Sequence, residues 1–229
     1  MTGTEKKYWI KNAHGDGYCP NQSLFRMLTA AGFTFPSSTV LEIGFGHGAD
    51  LKECARRGAN VSGIDINAHD VEAMKGHFSD QNNQNFVCLD IGKSSLHNSG
   101  LKTKKFDLIL MMDMIYYLSD EEKSFAINNL SRSLSDDGFI LIQTIRRDLV
   151  LDTPVGIDDI PDFSTIEAKA LENLSEKDNP MDYTPPSAII DMCRTANLKN
   201  MAKKMTLESY GNSEDFFRCK TYLMFSPET

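Results

Sequence analysis

The chain has 229 residues and a mass of 25.6 kDa, room for one sizeable core and a modest appendage at roughly 100–200 residues per domain. Hydrophobic residues make up 41% and charged residues 24%, which excludes wholesale disorder, and no apolar run approaches the ~18–20 residues of a bilayer span. The net charge of -8, with 24 Lys+Arg against 32 Asp+Glu and no basic stripe, argues against nucleic acid as a partner.

The first thirty residues hold no apolar signal stretch, so the expectation is a soluble, cytoplasmic protein without membrane association. The five cysteines (Cys19, Cys54, Cys88, Cys193 and Cys219) are odd in number and never form a CxxC pair. They read as reduced thiols, with neither a disulfide framework nor a metal site.

In chain order, an aromatic and polar arm precedes a helix over Asn21–Ala31, closed by Gly32. Short apolar runs then alternate with amphipathic stretches, the pattern of βαβ units in a parallel sheet. The predicted strands are Val40–Ile43, Val61–Ile64, Phe86–Leu89, Phe106–Met111 and Phe139–Ile145; the predicted helices are Ala49–Arg57, Ala68–Phe78 and Glu121–Leu134. Ser119 with Glu122 forms a capping box before the last of these, and a turn at Ser135–Gly138 starts the fifth strand. Segment 148–187 holds ten acidic residues, two lysines and five of the eight prolines, so it reads as an insertion and not as another βα unit. A helix at Ser187–Ala196 follows, then strands near Met201–Leu207 and Phe216–Phe225 joined around Gly211-Asn212. The chain thus divides into an N-terminal arm and helix (1–38), an α/β core (39–147), an acidic insertion (148–187) and a C-terminal helix and hairpin completing the sheet (188–229).

The informative stretch is Val40-Leu-Glu-Ile-Gly-Phe-Gly-His-Gly-Ala-Asp-Leu51, a buried strand running into Gly44, Gly46 and Gly48 and then a helix. Glycine serves where a backbone takes positive φ or a ligand lies against it. The same residues satisfy a relaxed dinucleotide fingerprint, so the glycines alone leave the ligand open. Three acids narrow it. Glu42 would oppose a pyrophosphate but suits a ligand with an ammonium and a sulfonium. Asp65, ending the second strand, suits a ribose diol; Asp90, after the third, suits an exocyclic adenine amine.

Residues 40–145 resemble the class I S-adenosylmethionine-dependent methyltransferases. The likeness is carried by Leu41–Gly48, Gly63-Ile-Asp-Ile66, Cys88-Leu-Asp-Ile91, Phe106–Leu118 and Gly138–Ile142, five segments in register. It implies an α/β, Rossmann-like seven-stranded sheet, mostly parallel with an antiparallel last strand and helices on both faces. It also implies S-adenosylmethionine as cofactor and S-adenosylhomocysteine as product. The loop Gly44–Gly48, Phe45 included, would lie along the methionine part; Asp65 would hold the ribose, Ile66 would pack on adenine, and Asp90 with Ile91 would read its edge. Met112, with Met111 and Asp113, would close the sulfonium side. The ring of Phe45, like His47, reads first as packing or solvent-facing.

The segment after the fourth strand, Met112-Asp-Met-Ile-Tyr116, lacks an (Asn/Asp)-Pro-Pro-aromatic motif for adenine N6 methylation and a Pro-Cys nucleophile for cytosine C5. The expectation is therefore methyl transfer to a hydroxyl or amine of a small acceptor (a sugar, metabolite or natural product) by a monomer or homodimer. Candidate catalytic groups are His14, Tyr117 and Asp113; candidate acceptor contacts are Trp9, Tyr18, Tyr116 and Arg146. The alternatives are methylation of a protein or RNA partner, a non-catalytic S-adenosylmethionine-binding module, and, more distantly, a dinucleotide oxidoreductase.

Overall fold

The structure, a computed structural model, describes residues 19–79, 85–101, 105–151, 184–209 and 217–228. Among these residues, seven strands form one sheet: β1 (Thr39–Ile43), β2 (Asn60–Asp65), β3 (Asn85–Cys88), β4 (Phe106–Met111), β5 (Leu134–Leu151), β6 (Leu198–Ser209) and β7 (Phe217–Pro227). The spatial order is β3-β2-β1-β4-β5-β7-β6. The first five strands pair in parallel, and β7 runs antiparallel between β5 and β6. The seven-stranded, mostly parallel sheet with a reversed last strand expected from the sequence is the fold observed.

Among the described residues, helix α1 (Gln22–Ala30) leads into the sheet, and α2 (Ala49–Arg56), α3 (Ala68–His77), α4 (Asp120–Arg132) and α5 (Pro186–Thr195) lie between strands. Alternation along each strand divides the core in two. Val40, Val61, Leu108, Leu110 and Leu141 face α1, α2 and α3, while Leu41, Ile64, Ile109 and Ile142 face α4 and α5. Burying both faces explains why these strands read as nearly continuous apolar runs. Each fully buried aliphatic side chain contributes about 1.5–3 kcal/mol.

The turn expected at Ser135–Gly138 is instead a bulge within β5. Leu134 already pairs with Phe106, and pairing resumes at Leu108 with Phe139. Ser135 Oγ donates to Asp107 Oδ1 at 3.0 Å, holding the bulge to β4. β5 also continues to Leu151, beyond the strand end expected at Ile145. The acidic segment falls mostly at 152–183, outside the described residues, as do the arm at 1–18 and the turn at Gly211-Asn212. The far end of that segment is anchored: Thr184 is buried and accepts from Lys123 Nζ, which also donates to Asp120 Oδ1 at 3.1 Å.

The capping box on α4 is complete, with Glu122 N donating to Ser119 Oγ (3.3 Å) and Ser119 N donating to Glu122 Oε2 (3.0 Å). Substituting a cap serine by alanine costs about 1 kcal/mol. Ser119→Ala should therefore lower the thermal midpoint by about 2–4 °C in a melt followed by circular dichroism; an unchanged midpoint would remove the cap from the account of α4.

Candidate functional site at the carboxyl ends of the strands

β1 delivers the chain into the glycine loop, and Gly44 N donates to Ile64 O at 2.7 Å, extending the β1–β2 ladder by one residue. Gly44 has φ +71°, and a Cβ there would stand 2.9 Å from Met114 Cβ. Gly48 has φ +72° and closes the loop as the residue before α2, with the Met74 side chain occupying the space a Cβ would need. Neither position accepts another residue without strain.

Asp65 fixes the middle of the loop. Its Oδ2 accepts from Gly46 N at 2.8 Å and its Oδ1 from Asn67 N at 2.8 Å. A carboxylate oxygen can accept more than one hydrogen bond, so a ligand can share the same oxygens. Asp90, two residues past β3, is half-buried, and its Oδ1 accepts from Gly92 N at 3.0 Å. Both acids therefore shape the turns they occupy as well as lining the cleft.

That cleft is lined by Ile43, Gly44, Ile64, Asp65, Ile66, Leu89, Asp90, Ile91, Asp113, Met114, Tyr117 and Leu118. It lies outside the carboxyl ends of β1 to β4, where open α/β sheets bind ligands. Its walls are aliphatic, with carboxylates at the tips of β2 and β4 and just beyond β3. The lining suits a small organic ligand with an apolar body and a few polar edges.

Of the residues singled out from sequence, Gly44, Asp65, Ile66, Asp90, Ile91, Asp113 and Tyr117 come together in this cleft, with Gly46 and Gly48 in the adjoining loop. Phe45 does not. Its ring packs in the core over Gly63, edge-on to Phe86 at 5.7 Å. Met112 does not line it either: period two carries it to the same face as Leu110, where it is buried in the core. Tyr116 is buried too, and its hydroxyl donates to Asp113 Oδ1 at 3.2 Å, so it supports the cleft from behind. Trp9, His14, Tyr18 and the side chain of Arg146 lie outside the described residues.

Sequence reasoning passed over Met114 and Leu118, which close the cleft over the glycine loop and the β3 end. It also passed over Gln143 and Lys220. Gln143 Oε1 accepts from Asp113 N at 2.8 Å, and Lys220 Nζ pairs with Asp113 Oδ2 at 3.0 Å. The available signal was a glutamine inside the otherwise apolar run Phe139-Ile-Leu-Ile-Gln-Thr-Ile145.

Glu42 lies beneath the loop and does not line the cleft. It is buried, accepts from the Leu51 amide, and has Oε2 without a partner among the described residues. Burial first, then the negative charges of Asp50 and Asp65, raises its carboxyl well above the usual carboxylate range. Because the folded state holds this proton more tightly than the unfolded chain, the group costs stability as pH rises from the ordinary carboxylate range through the raised value. Glu42→Gln should therefore melt higher than the unsubstituted protein at alkaline pH. The gap should close as pH falls below the ordinary range, measured by thermal melts across a pH series; a constant gap would contradict the buried, proton-holding carboxyl.

A family model described as a methyltransferase domain matches residues 21–203. Among curated proteins, a ubiquinone biosynthesis O-methyltransferase from Bartonella tribocorum is 30% identical over 113 residues, covering 49% of this chain and 43% of that protein. Its counterpart from Actinobacillus pleuropneumoniae is 28% identical over 115 residues, covering 48% and 47%. The matches thus span less than half the length of these relatives. Among solved structures, the N-methyltransferase NodS from Bradyrhizobium japonicum, in complex with S-adenosylhomocysteine, aligns with TM-score 0.62 at 15% identity over 99% of this chain and 98% of its own. The magnesium protoporphyrin IX methyltransferase of Synechocystis, with bound S-adenosylmethionine, aligns with TM-score 0.58 at 15% identity over 98% and 91%. With most of its length matched by the family model and its sheet laid out in the same fold, the chain belongs to the methyltransferase-domain family.

Proposed function

We propose that this protein transfers a methyl group from S-adenosylmethionine to a hydroxyl or amine of a small acceptor. The observation that carries this reading is the cleft itself: an aliphatic slot with Asp65 and Asp90 at adjacent corners, leading to the glycine loop and Asp113. The residues present suit the cofactor. Asp65 has lone pairs to accept from a ribose diol, Asp90 to accept from an adenine amine, and Ile66, Ile91 and Leu118 offer flat apolar contact to the base. The glycine loop would take the methionine end. A pyrophosphate would instead meet Asp65 and Asp113, and the cation beside them, Lys220, is already paired with Asp113.

When bound, the cofactor supplies an electrophilic methyl group on a sulfonium that becomes a neutral thioether. The protein's part is alignment and exclusion of water. Asp113, with φ +49°, is held by the Lys220 ion pair, the Tyr116 hydroxyl and the bond from its own amide to Gln143. A carboxylate so engaged suits orientation better than proton removal. Tyr117, which lines the cleft, and His14 on the arm are the candidates for handling the acceptor's proton. The O-methyltransferase relatives support an oxygen acceptor and the NodS likeness a nitrogen one, so the two together support methyl transfer without choosing the atom.

Isothermal titration with S-adenosylhomocysteine and, separately, with NAD tests the reading. Heat is expected only with the former, and Asp65→Ala should raise its dissociation constant at least about tenfold, since a hydrogen bond to a charged group contributes about 1.5–3 kcal/mol. Binding of NAD without binding of S-adenosylhomocysteine would overturn it.

A further inference from the structure

We infer that Asp113 makes the site favour the positively charged methyl donor over its neutral product, its carboxylate being the anion held at the sulfur end of the cleft. The inference rests on the S-adenosylmethionine reading and adds to it the residue that tells donor from product.

The backbone singles Asp113 out. Of the three non-glycine residues with positive φ among those described, Ser37, Asp113 and Asn197, it is Asp113 that lines the cleft. A left-handed conformation is unfavourable for a residue with a Cβ and persists only where the surroundings enforce it. Here Gln143 Oε1 accepts from Asp113 N at 2.8 Å, the Tyr116 hydroxyl donates to Oδ1 at 3.2 Å, and Lys220 Nζ pairs with Oδ2 at 3.0 Å. Backbone and carboxylate are both fixed before a ligand arrives.

Its place along the cleft says what it meets. The strands run in the order β3-β2-β1-β4, so Asp90, Asp65, Gly44 and Asp113 follow one another along the slot. With the adenine amine at Asp90 and the ribose diol at Asp65, the sulfur, one methylene beyond the ribose, falls past β2 towards Gly44 and Asp113, at roughly 5 Å per strand. The turn holding Asp113 closes directly on the glycine loop, since a Cβ on Gly44 would stand 2.9 Å from Met114 Cβ. After burial and the charges of Asp50 and Asp65, the Asp113 charge also raises the Glu42 carboxyl beneath that loop, so its field reaches this end of the cleft.

The ion pair presents its negative end. Asp113 is among the residues lining the cleft and Lys220 is not, and their side chains are 46% and 16% exposed. A ligand therefore meets the carboxylate first, and the nearer charge dominates the attraction. S-adenosylmethionine and S-adenosylhomocysteine differ at this end by one methyl group and one positive charge on sulfur. Donor and not product feels the attraction, so loss of that charge on methyl transfer loosens the product and favours its replacement by fresh donor.

Isothermal titration with S-adenosylmethionine and, separately, with S-adenosylhomocysteine tests this without any acceptor present. Asp113→Asn keeps the size of the side chain and its tolerance of a left-handed backbone but removes the charge. It should raise the dissociation constant of S-adenosylmethionine at least about tenfold and that of S-adenosylhomocysteine by less than about threefold. Lys220→Met removes the opposing cation and should shift the preference the other way, towards S-adenosylmethionine, by at least about threefold; it decides the matter if Asp113→Asn does not fold. Equal losses for the two ligands in Asp113→Asn, or a preference in Lys220→Met that stays put or moves towards S-adenosylhomocysteine, would overturn the inference, as would an unsubstituted protein that binds only the product. Failure of the unsubstituted protein to bind either ligand would instead bring down the S-adenosylmethionine reading beneath it.

Discussion

The Asp65 carboxylate is shared between two loops: one oxygen takes the Gly46 amide from the turn after β1, the other the Asn67 amide that opens α3. β1 and β2 are parallel neighbours in register, Ile43 beside Ile64, so both loops leave the sheet at the same level and one side chain can clamp them. The glycine loop is thereby shaped by the protein itself. A ligand entering it does not bear the entropy of ordering that backbone, which is the general advantage of preorganisation. The same carboxylate acts on the electrostatics: after burial and the charge of Asp50, its own charge raises the Glu42 carboxyl beneath the loop.

A second polar assembly ties the other end of the sheet together. Asn21 caps α1, its backbone amide donates to Asp50 Oδ1 on α2 at 2.7 Å, and its side-chain nitrogen donates to the Tyr222 hydroxyl on β7 at 2.9 Å. Helix α1 is thus fastened across the face on which Gln143 lies. Gln143 and Lys220 in turn hold Asp113 from β5 and β7. The antiparallel strand does more than complete the sheet: through Lys220 it brings a cation to Asp113 at the rim of a cleft lined with carboxylates and aliphatics.

How much of this was legible depended on whether the deciding contact was local. The run Phe106-Asp-Leu-Ile-Leu-Met111 announces a buried strand by composition, and Ser119 with Glu122 announces a helix start, because both signals lie within a few residues. The bulge at Ser135–Gly138 has the composition of a turn, and only the pairing of Leu134 with Phe106 shows that the strand has already begun. The direction of Phe45 depends on the hollow over Gly63, a residue of the neighbouring strand. Met112 differs, since strand alternation alone would have sent it to the core with Leu110. Gln143 was visible as a polar residue in an apolar run, but its meaning needed the Asp113 amide, thirty residues away in sequence.

Hydrogen exchange by mass spectrometry, with and without S-adenosylhomocysteine, tests the central claim most directly. The account predicts slowed exchange confined to the glycine loop at 44–48, the turns following Asp65 and Asp90, and the 113–118 segment. Protection centred elsewhere, or none at saturating ligand, would contradict an adenosyl ligand held by the carboxylates at the strand tips.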